Sequence, residues 1–277
     1  MNKSYDLVCI GFGPVTRQLL RYFPNLEVLI VSDNCSELFP NAGVIPYSKF
    51  SNTINEMSFS NVIVSIRLDF EGADSHELLL QSDDFWEYMP RCRVIVLSSV
   101  SVYGAGENIH YEEDAPYPLD AYAISKVSLE CLFRTRVPSE NLLILRVANL
   151  YGATGISVFF DRLCDSITTG KPLSIPTSKC LRDFVHIRDL FEFCNFWLKS
   201  ELICENQILN FGTGLSWNLN EVVKLAANLD GSSFEINYEE APPVIPISRI
   251  SVDKLNLIWD YSRAELNSAM IRKLLPA

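Results

Sequence analysis

A pair of glycines near the N-terminus constrains the fold of this chain more than any other segment. The apolar run Tyr5–Ile10 leads directly to Gly11 and Gly13, and a helix-like segment begins at Pro14 and continues to Phe23. Gly11 permits a tight turn, and Gly13 lets a phosphate group approach the backbone. Proline suits the first helical position, where its missing N–H does no harm. The sequence therefore predicts a strand, a turn and a helix whose N-terminus binds the pyrophosphate of a dinucleotide.

An acidic residue follows the second strand-like run. The apolar segment Leu26–Ser32 leads to Asp33, which lies about 20 residues beyond the glycines, as in dinucleotide-binding folds. A carboxylate there accepts hydrogen bonds from the adenosine ribose and repels a 2′-phosphate, so it favours NAD over NADP. A turn aspartate ahead of Asn34 is an equally good interpretation. The prediction is NAD as the cofactor, with NADP as the alternative.

Strands and helices alternate further along the chain. Asn61–Ser65 and Arg93–Leu97 read as short buried strands, and residues 76–89 between them read as a helix. Residues 36–60 show no clear pattern. This alternation predicts an α/β protein with a doubly wound parallel sheet, the Rossmann fold, in which ligands bind beyond the carboxyl ends of the strands.

A tyrosine and a lysine stand four residues apart at Tyr122 and Lys126. On a helix this spacing puts both side chains on one face. A nearby cation favours the phenolate and lowers the pKa of a tyrosine from its usual value near ~10. Such a pair suits acid-base catalysis at a carbonyl group, although an exposed helix face contains the same spacing by chance.

The composition excludes several classes of protein. The 277 residues carry a net charge of −11, which argues against a nucleic-acid partner or an anionic membrane surface. No apolar run reaches the roughly 18–20 residues that span a bilayer, and the N-terminus lacks the apolar core of a signal peptide. Eight cysteines occur singly and three histidines are dispersed. We therefore expect reduced thiols, no metal site and a cytoplasmic location.

Seven segments occur in an order that resembles the extended short-chain dehydrogenase/reductases, the NAD-dependent epimerase/dehydratase family that acts on nucleotide sugars. The resemblance covers essentially the whole chain. Its segments are the Gly11–Gly13 turn, Ser98–Gly104, Tyr122–Lys126 with Glu130, Arg146–Gly152, Arg182–Asp189, Asn210–Gly214 with the following Leu219–Val223, and Arg249–Lys254.

The resemblance implies three catalytic residues. Ser99 hydrogen-bonds the reacting oxygen, and Tyr122 transfers its proton. Lys126 binds the nicotinamide ribose and tunes the tyrosine, so Tyr122 and Lys126 also contact the cofactor that Gly11, Gly13 and Asp33 hold. The reaction implied is hydride transfer between the nicotinamide and a carbinol or carbonyl carbon.

The resemblance also implies a substrate site for a nucleotide-activated sugar. Asn149 contacts the diphosphate or the sugar. Arg182 and Arg249 clamp the nucleotide diphosphate, a task suited to a planar guanidinium, although either could be a surface charge. His186 is interpreted as a structural residue, because no acidic partner has an obvious spacing to it.

Departures from the family pattern bear on the reaction. Thr16 replaces a third glycine, and Val100 and Ser101 stand where the 4,6-dehydratases carry an acid and a base, so water elimination lacks its catalysts. Reduction of a keto group is favoured narrowly, because the chain is short and its glycine turn is altered. Epimerisation through a transient 4-keto intermediate is the alternative, which bound NAD would suit. A non-catalytic NAD(P) sensor is a third hypothesis, against which the intact Tyr122 and Lys126 argue.

The resemblance further implies how the chain is divided between the two ligands. Residues 1–152 and 182–214 are expected to form the NAD(P)-binding Rossmann domain, and residues 153–181 and 215–277 the smaller substrate-binding region.

A homodimer is expected from the resemblance, through the helices that contain residues 76–89 and 122–135. The apolar side chains of Leu129, Leu132 and Phe133 are compatible with such an interface, and equally with a buried core face.

Overall fold

The computed structural model describes residues 3–35, 37, 39–68, 79–177, 179–202, 207–230, 234–240 and 247–259. The strands are β1 (Lys3–Ser4), β2 (Leu7–Ile10), β3 (Val28–Val31), β4 (Ala42–Ile45), β5 (Met57–Ser58), β6 (Asn61–Val64), β7 (Arg93–Ser99), β8 (Leu142–Val147), β9 (Asn149–Tyr151), β10 (Leu173–Pro176), β11 (Leu181–His186), β12 (Ile208–Phe211), β13 (Ser216–Asn218) and β14 (Ile236–Glu239). The helices are α1 (Pro14–Tyr22), α2 (Tyr47–Thr53), α3 (Asp83–Tyr88), α4 (Ala121–Arg136), α5 (Val158–Thr169), α6 (Ile187–Lys199), α7 (Leu219–Asp230) and α8 (Asp253–Ile258).

A seven-stranded sheet in the order β12-β8-β7-β6-β2-β3-β4 dominates the architecture. Each neighbouring pair from β7 to β4 is parallel. Strands β2 and β3 are buried along their whole length, which is why they read as continuous apolar runs rather than alternating ones. The chain adds strands on one side of β2 and then on the other, so a crevice for a ligand is expected beyond the carboxyl ends of β2 and β6. The predicted α/β fold with a doubly wound parallel sheet is confirmed.

The chain divides into two compact units. The first contains Met1–Ser99, Asp120–Arg146 and Phe191–Leu209, and the second contains the remaining residues. The core of the first unit includes the fully buried rings of Phe50, Phe85 and Phe133. These units are defined by contacts, whereas the predicted domains are defined by their ligands, so the domain assignment stays a prediction.

The second unit is built on smaller sheets. Strand β11 pairs with β13 in antiparallel and with β9 in parallel orientation, and β10 pairs in parallel with β14. Helices α5 and α7 supply the core that these strands cover, with Phe160, Phe184 and Val222 buried in it.

Several expected elements differ from those observed. Residues 36–60, which show no clear pattern in the sequence, contain β4, α2 and β5. Within the helix expected over 76–89, residues 79–80 are helical and a separate helix, α3, begins at Asp83, where the Ser82 hydroxyl caps it by accepting from Phe85 N at 3.3 Å. Residues 76–78 lie outside the described part of the chain.

The apolar positions on α4 are core residues. Leu129 and Phe133 are fully buried in the first unit, and Leu132 packs against the same cluster. Of the two interpretations of these side chains, the structure supports the core face. The homodimer stays a prediction that these three residues no longer support.

Candidate active site

The structure brings the three predicted catalytic residues together within the first unit. Ser99 is the last residue of β7. Asp120 caps α4 by accepting from Ala123 N at 2.7 Å, so Tyr122 lies in the first turn of the helix and Lys126 one turn later. The Ser99 side chain is hydrogen-bonded to Tyr122. Lys126 Nζ lies 5.6 Å from the centre of the tyrosine ring.

Backbone carbonyl groups hold the buried Lys126, which is 6% exposed. Its Nζ donates to the oxygens of Ile66 and Leu97, both at 2.9 Å. An ammonium group has three N–H donors, so two of them are used by these carbonyls. The pKa of Lys126 is lowered to about 8, mainly because the group is buried. The negative charge of Glu130 raises this pKa, and the positive charge of Arg67 lowers it.

The pKa of Tyr122 is raised, whereas the sequence predicted that Lys126 would lower it. Desolvation of the phenol is the largest cause, followed by the hydrogen bond with Ser99 and the charge of Arg67, which both lower the pKa, and by Asp120, which raises it. The Lys126 ammonium group donates to the carbonyl oxygens of Ile66 and Leu97. Tyr122 is therefore a protonated phenol at neutral pH.

The first turn of α1 is suited to a dinucleotide. Gly13 caps the helix without a side chain, and the first hydrogen bond into the turn runs from Arg17 N to Gly13 O, so the preceding N–H groups have no partner within the helix and could bind a phosphate. A Cβ atom at Gly13 would meet nothing within 4 Å, which leaves room for a pyrophosphate. Just after β3, the exposed Asp33 accepts from Tyr47 N through Oδ1 at 3.1 Å.

Gly11 and Thr16 fix the shape of this turn. Gly11 has a φ of +99°, and a Cβ there would approach Ser65 O to 2.5 Å. The buried Thr16 hydroxyl donates to Gly11 O at 3.0 Å. Thr16, which replaces the third glycine of the family pattern, therefore closes the turn with a hydrogen bond.

Replacement of Gly11 by alanine is expected to destabilise the protein by more than about 1–2 kcal/mol, the cost of left-handed backbone alone, because the new Cβ also collides with Ser65. Gly13→Ala is the matched control, since its φ of −124° and open surroundings accept a methyl group. Urea unfolding of both variants measures the difference. Equal free energies of unfolding would contradict this account of the turn.

The three predicted substrate-binding residues lie in the second unit, where β11 links them. Asn149 pairs in register with Phe184 of β11 and donates from Nδ2 to Asp183 O at 3.1 Å. Arg182 lies on β11, and burial lowers its pKa. Arg249 follows Ser248, whose backbone N–H donates to the carbonyl oxygen of Leu181 on β11 at a distance of 3.1 Å.

Sequence reasoning missed Arg67 and Asp120, which lie beside the candidate site. Arg67 lies with Cζ 6.0 Å from the Tyr122 ring centre, and nothing in the pattern distinguishes it from a surface arginine. Asp120 could have been identified as the N-cap that precedes the helix. His186 accepts from Arg188 N at 3.1 Å and packs edge-on against Tyr151, which supports its structural interpretation.

A separate cavity of about 540 Å³ lies in the first unit, where β2 and β6 begin. Its lining includes Asp6, Asn61 and Lys199, and none of the predicted site residues. In the described part of the chain, no group of three His, Cys, Asp or Glu residues could hold a metal ion. None of the helices described here has both the length and the apolar character to cross a membrane.

Comparisons with known proteins identify one family of similar sequences. Residues 77–212 match the model of the NAD dependent epimerase/dehydratase family. An ADP-L-glycero-D-manno-heptose-6-epimerase of Brachyspira hyodysenteriae is 34% identical over 148 residues, covering 48% of this chain and 45% of that protein. A UDP-glucose 4-epimerase of Azospirillum brasilense is 26% identical over 176 residues, covering 56% and 51%.

The fold of this chain is similar to the folds of solved protein structures. The UDP-glucose 4-epimerase of Thermotoga maritima, crystallised with UDP-glucose, superposes with a TM-score of 0.77 at 18% identity and covers 97% of this chain and 99% of its own. In sequence, however, the match spans about half the length of the two curated relatives. Residues 77–212 match the NAD dependent epimerase/dehydratase family, and the resemblance predicted from the motifs is confirmed.

Proposed function

We propose that this protein is an NAD-dependent enzyme that transfers a hydride to or from a sugar carbon of a nucleotide-activated sugar. The observation that carries the proposal is the grouping of Ser99, Tyr122 and Lys126 at the end of β7 and the start of α4. The first turn of α1 and Asp33 would hold the cofactor, which supplies the hydride when bound.

Each side chain of the group has one task in this proposal. The Ser99 hydroxyl polarises the reacting oxygen by a hydrogen bond. The Tyr122 hydroxyl exchanges a proton with the same oxygen. Lys126, fixed by two carbonyl groups, presents its remaining N–H to the ribose of the cofactor. In the second unit, Asn149, Arg182 and Arg249 would bind the sugar and its diphosphate.

Reduction of a keto group is the favoured direction. A protonated phenol is ready to donate a proton, and the raised pKa of Tyr122 keeps it protonated at neutral pH. In this direction the substrate would gain a hydride from the reduced cofactor at its carbonyl carbon and a proton from Tyr122 at its carbonyl oxygen.

Epimerisation is the second candidate, favoured by two observations. The two curated relatives described above are epimerases by name. An acidic Asp33 after β3 would favour NAD, and an epimerase must keep its NAD through both the oxidation and the reduction. A homodimer and a cytoplasmic location remain predictions.

Purified protein tests the proposal in two steps. Mass spectrometry of the denatured protein should detect released NAD if the enzyme retains its cofactor as an epimerase does. Wild-type protein is then incubated with nucleotide-linked 4-keto sugars and reduced cofactor, and separately with UDP-hexoses and no added cofactor. Consumption of reduced cofactor supports reduction, and interconversion of the hexoses supports epimerisation. Retained NAD without either reaction would overturn the enzymatic proposal in favour of a sensor.

A further inference from the structure

Three buried polar side chains form a cluster beside the candidate site. Ser98, Glu130 and Arg146 are 4%, 3% and 2% exposed. Arg146 binds the carboxylate of Glu130 through two contacts, from Nη2 to Oε2 at 2.7 Å and from Nε to Oε1 at 3.1 Å. The Ser98 hydroxyl donates to the same carboxylate at Oε1. We refer to these residues as the Ser98–Glu130–Arg146 cluster.

Each member of the cluster belongs to a different element that carries or borders the site. Ser98 is the β7 residue that precedes Ser99. Glu130 lies four residues after Lys126 on α4, hence on the same face of the helix. Arg146 comes from β8. Because Lys126 Nζ also donates to Leu97 O, two side chains of α4 are bonded to consecutive residues of β7.

The buried ion pair between Glu130 and Arg146 is not well explained by a gain in folding stability. Removing two charges from water costs about as much as their attraction returns, and apolar replacements of such pairs are often neutral or stabilising. The Ser98–Glu130–Arg146 cluster is therefore not expected to add much to the free energy of unfolding. Its position one helical turn from Lys126 points to the ammonium group instead.

We propose that Glu130 is the positioning residue of the candidate site, and that its carboxylate, fixed by Arg146 and Ser98, keeps the Lys126 ammonium group charged and directed at the carboxyl ends of β6 and β7. The inference rests on the proposed function in that Lys126 is taken to bind the cofactor ribose. The Glu130 carboxylate, which binds Arg146 and Ser98, would act through Lys126.

The charges around Lys126 show why this carboxylate matters. Glu130 is the one acidic residue of α4. Arg67, which follows β6, opposes the ammonium charge, Tyr122 on the same helix is neutral, and Arg146 of β8 offsets part of the carboxylate charge. Burial already brings the pKa of Lys126 down to about 8. Loss of Glu130 lowers it further, so that the neutral amine becomes populated near physiological pH.

Paired variants separate this electrostatic role from simple packing. Glu130→Gln/Arg146→Met removes both buried charges and leaves none unpaired, so the fold is expected to survive. Glu140→Gln, an exposed carboxylate after the end of α4, is the matched control. Calorimetry measures NAD affinity from about pH 6 to about pH 9. We expect the wild-type affinity to fall near pH ~8 as Lys126 loses its proton, and the fall in the paired variant to occur at lower pH. Above both midpoints, where the protonated fraction follows the pKa directly, the affinity should be roughly tenfold weaker for each unit of pKa lost.

A second measurement needs no cofactor. Because the folded pKa of Lys126 lies below its unfolded value, the unfolded state binds more protons between about pH 8 and about pH 10.4, and stability rises with pH across that window. Removal of Glu130 lowers the folded pKa, so in the paired variant the window should open at lower pH. Lys126→Met, introduced into each background, should abolish the difference.

The outcomes distinguish the two proposals. If wild-type protein binds no NAD, the proposed function fails, and the unfolding measurements alone decide the role of Glu130. If NAD binds, and neither the affinity profile nor the stability window shifts in the paired variant, the positioning role is overturned while the proposed function stands.

Discussion

Tyr122→Phe is expected to reduce turnover by about 10²–10⁴-fold, the usual contribution of a positioned acid-base group, without loss of the fold or of NAD binding. The phenyl ring keeps the contacts of the tyrosine ring with Lys126 and Arg67. What disappears is the hydroxyl group that hydrogen-bonds Ser99 and exchanges the proton. Single-turnover kinetics and calorimetric NAD titration measure the two effects separately.

A matched control for this variant is Tyr117→Phe. Tyr117 is 70% exposed, so loss of its hydroxyl group should leave turnover unchanged. Comparable turnover of Tyr122→Phe and wild type would mean that another group moves the proton. Reduced NAD affinity in Tyr122→Phe would instead place the hydroxyl group in cofactor binding.

Arg146→Met is expected to destabilise the protein by about 3–5 kcal/mol, the second large effect. The substitution leaves the Glu130 carboxylate buried with Ser98 as its remaining partner in the cluster. The paired Glu130→Gln/Arg146→Met variant leaves no uncompensated charge and should be much more stable than Arg146→Met. Urea unfolding gives the free energies of unfolding. Arg134→Met, at an exposed position on α4, is the control and should change them by no more than about 0.5 kcal/mol.

Comparing Arg146→Met with the paired variant shows whether the loss of stability comes from the unpaired carboxylate or from the lost packing of the arginine. If the paired variant loses as much stability as Arg146→Met, the cost lies in the packing of the arginine side chain rather than in the unpaired carboxylate. The account of the cluster as a charge-compensated pair would then be wrong.

Much of the parallel sheet could be predicted from the sequence, for a physical reason. Strands buried on both faces are continuous apolar runs, as in Val28–Val31 and Asn61–Val64. Strand β4 was not predicted, because it lies at the edge of the sheet, contains Gly43 and is only partly buried. Edge strands need less apolar surface, so their sequences carry a weaker pattern.

The grouping in the candidate site was predicted in part. The spacing of Tyr122 and Lys126 on a helix correctly predicts that they share one face, and Ser99 was located by the strand that ends there. The sequence predicted a lowered pKa for Tyr122, and this prediction was wrong. Desolvation raises that pKa, and desolvation depends on the three-dimensional surroundings of the hydroxyl group, which the sequence does not show. The carbonyl oxygens of Ile66 and Leu97 hold Lys126, and backbone groups have no signature in a sequence.

The interleaving of the two units along the chain has a consequence for how the protein is made. Strand β7, near the middle of the sheet, is joined to its neighbour β8 only after residues 100–119 of the other unit have been synthesised, and β12 is added after residues 147–190. Such pairings have a high contact order, which slows folding. A ribosome-bound fragment that ends before Ile208 would expose the edge of β8, so the nascent chain depends on completion of synthesis, or on a chaperone, to protect that edge from aggregation.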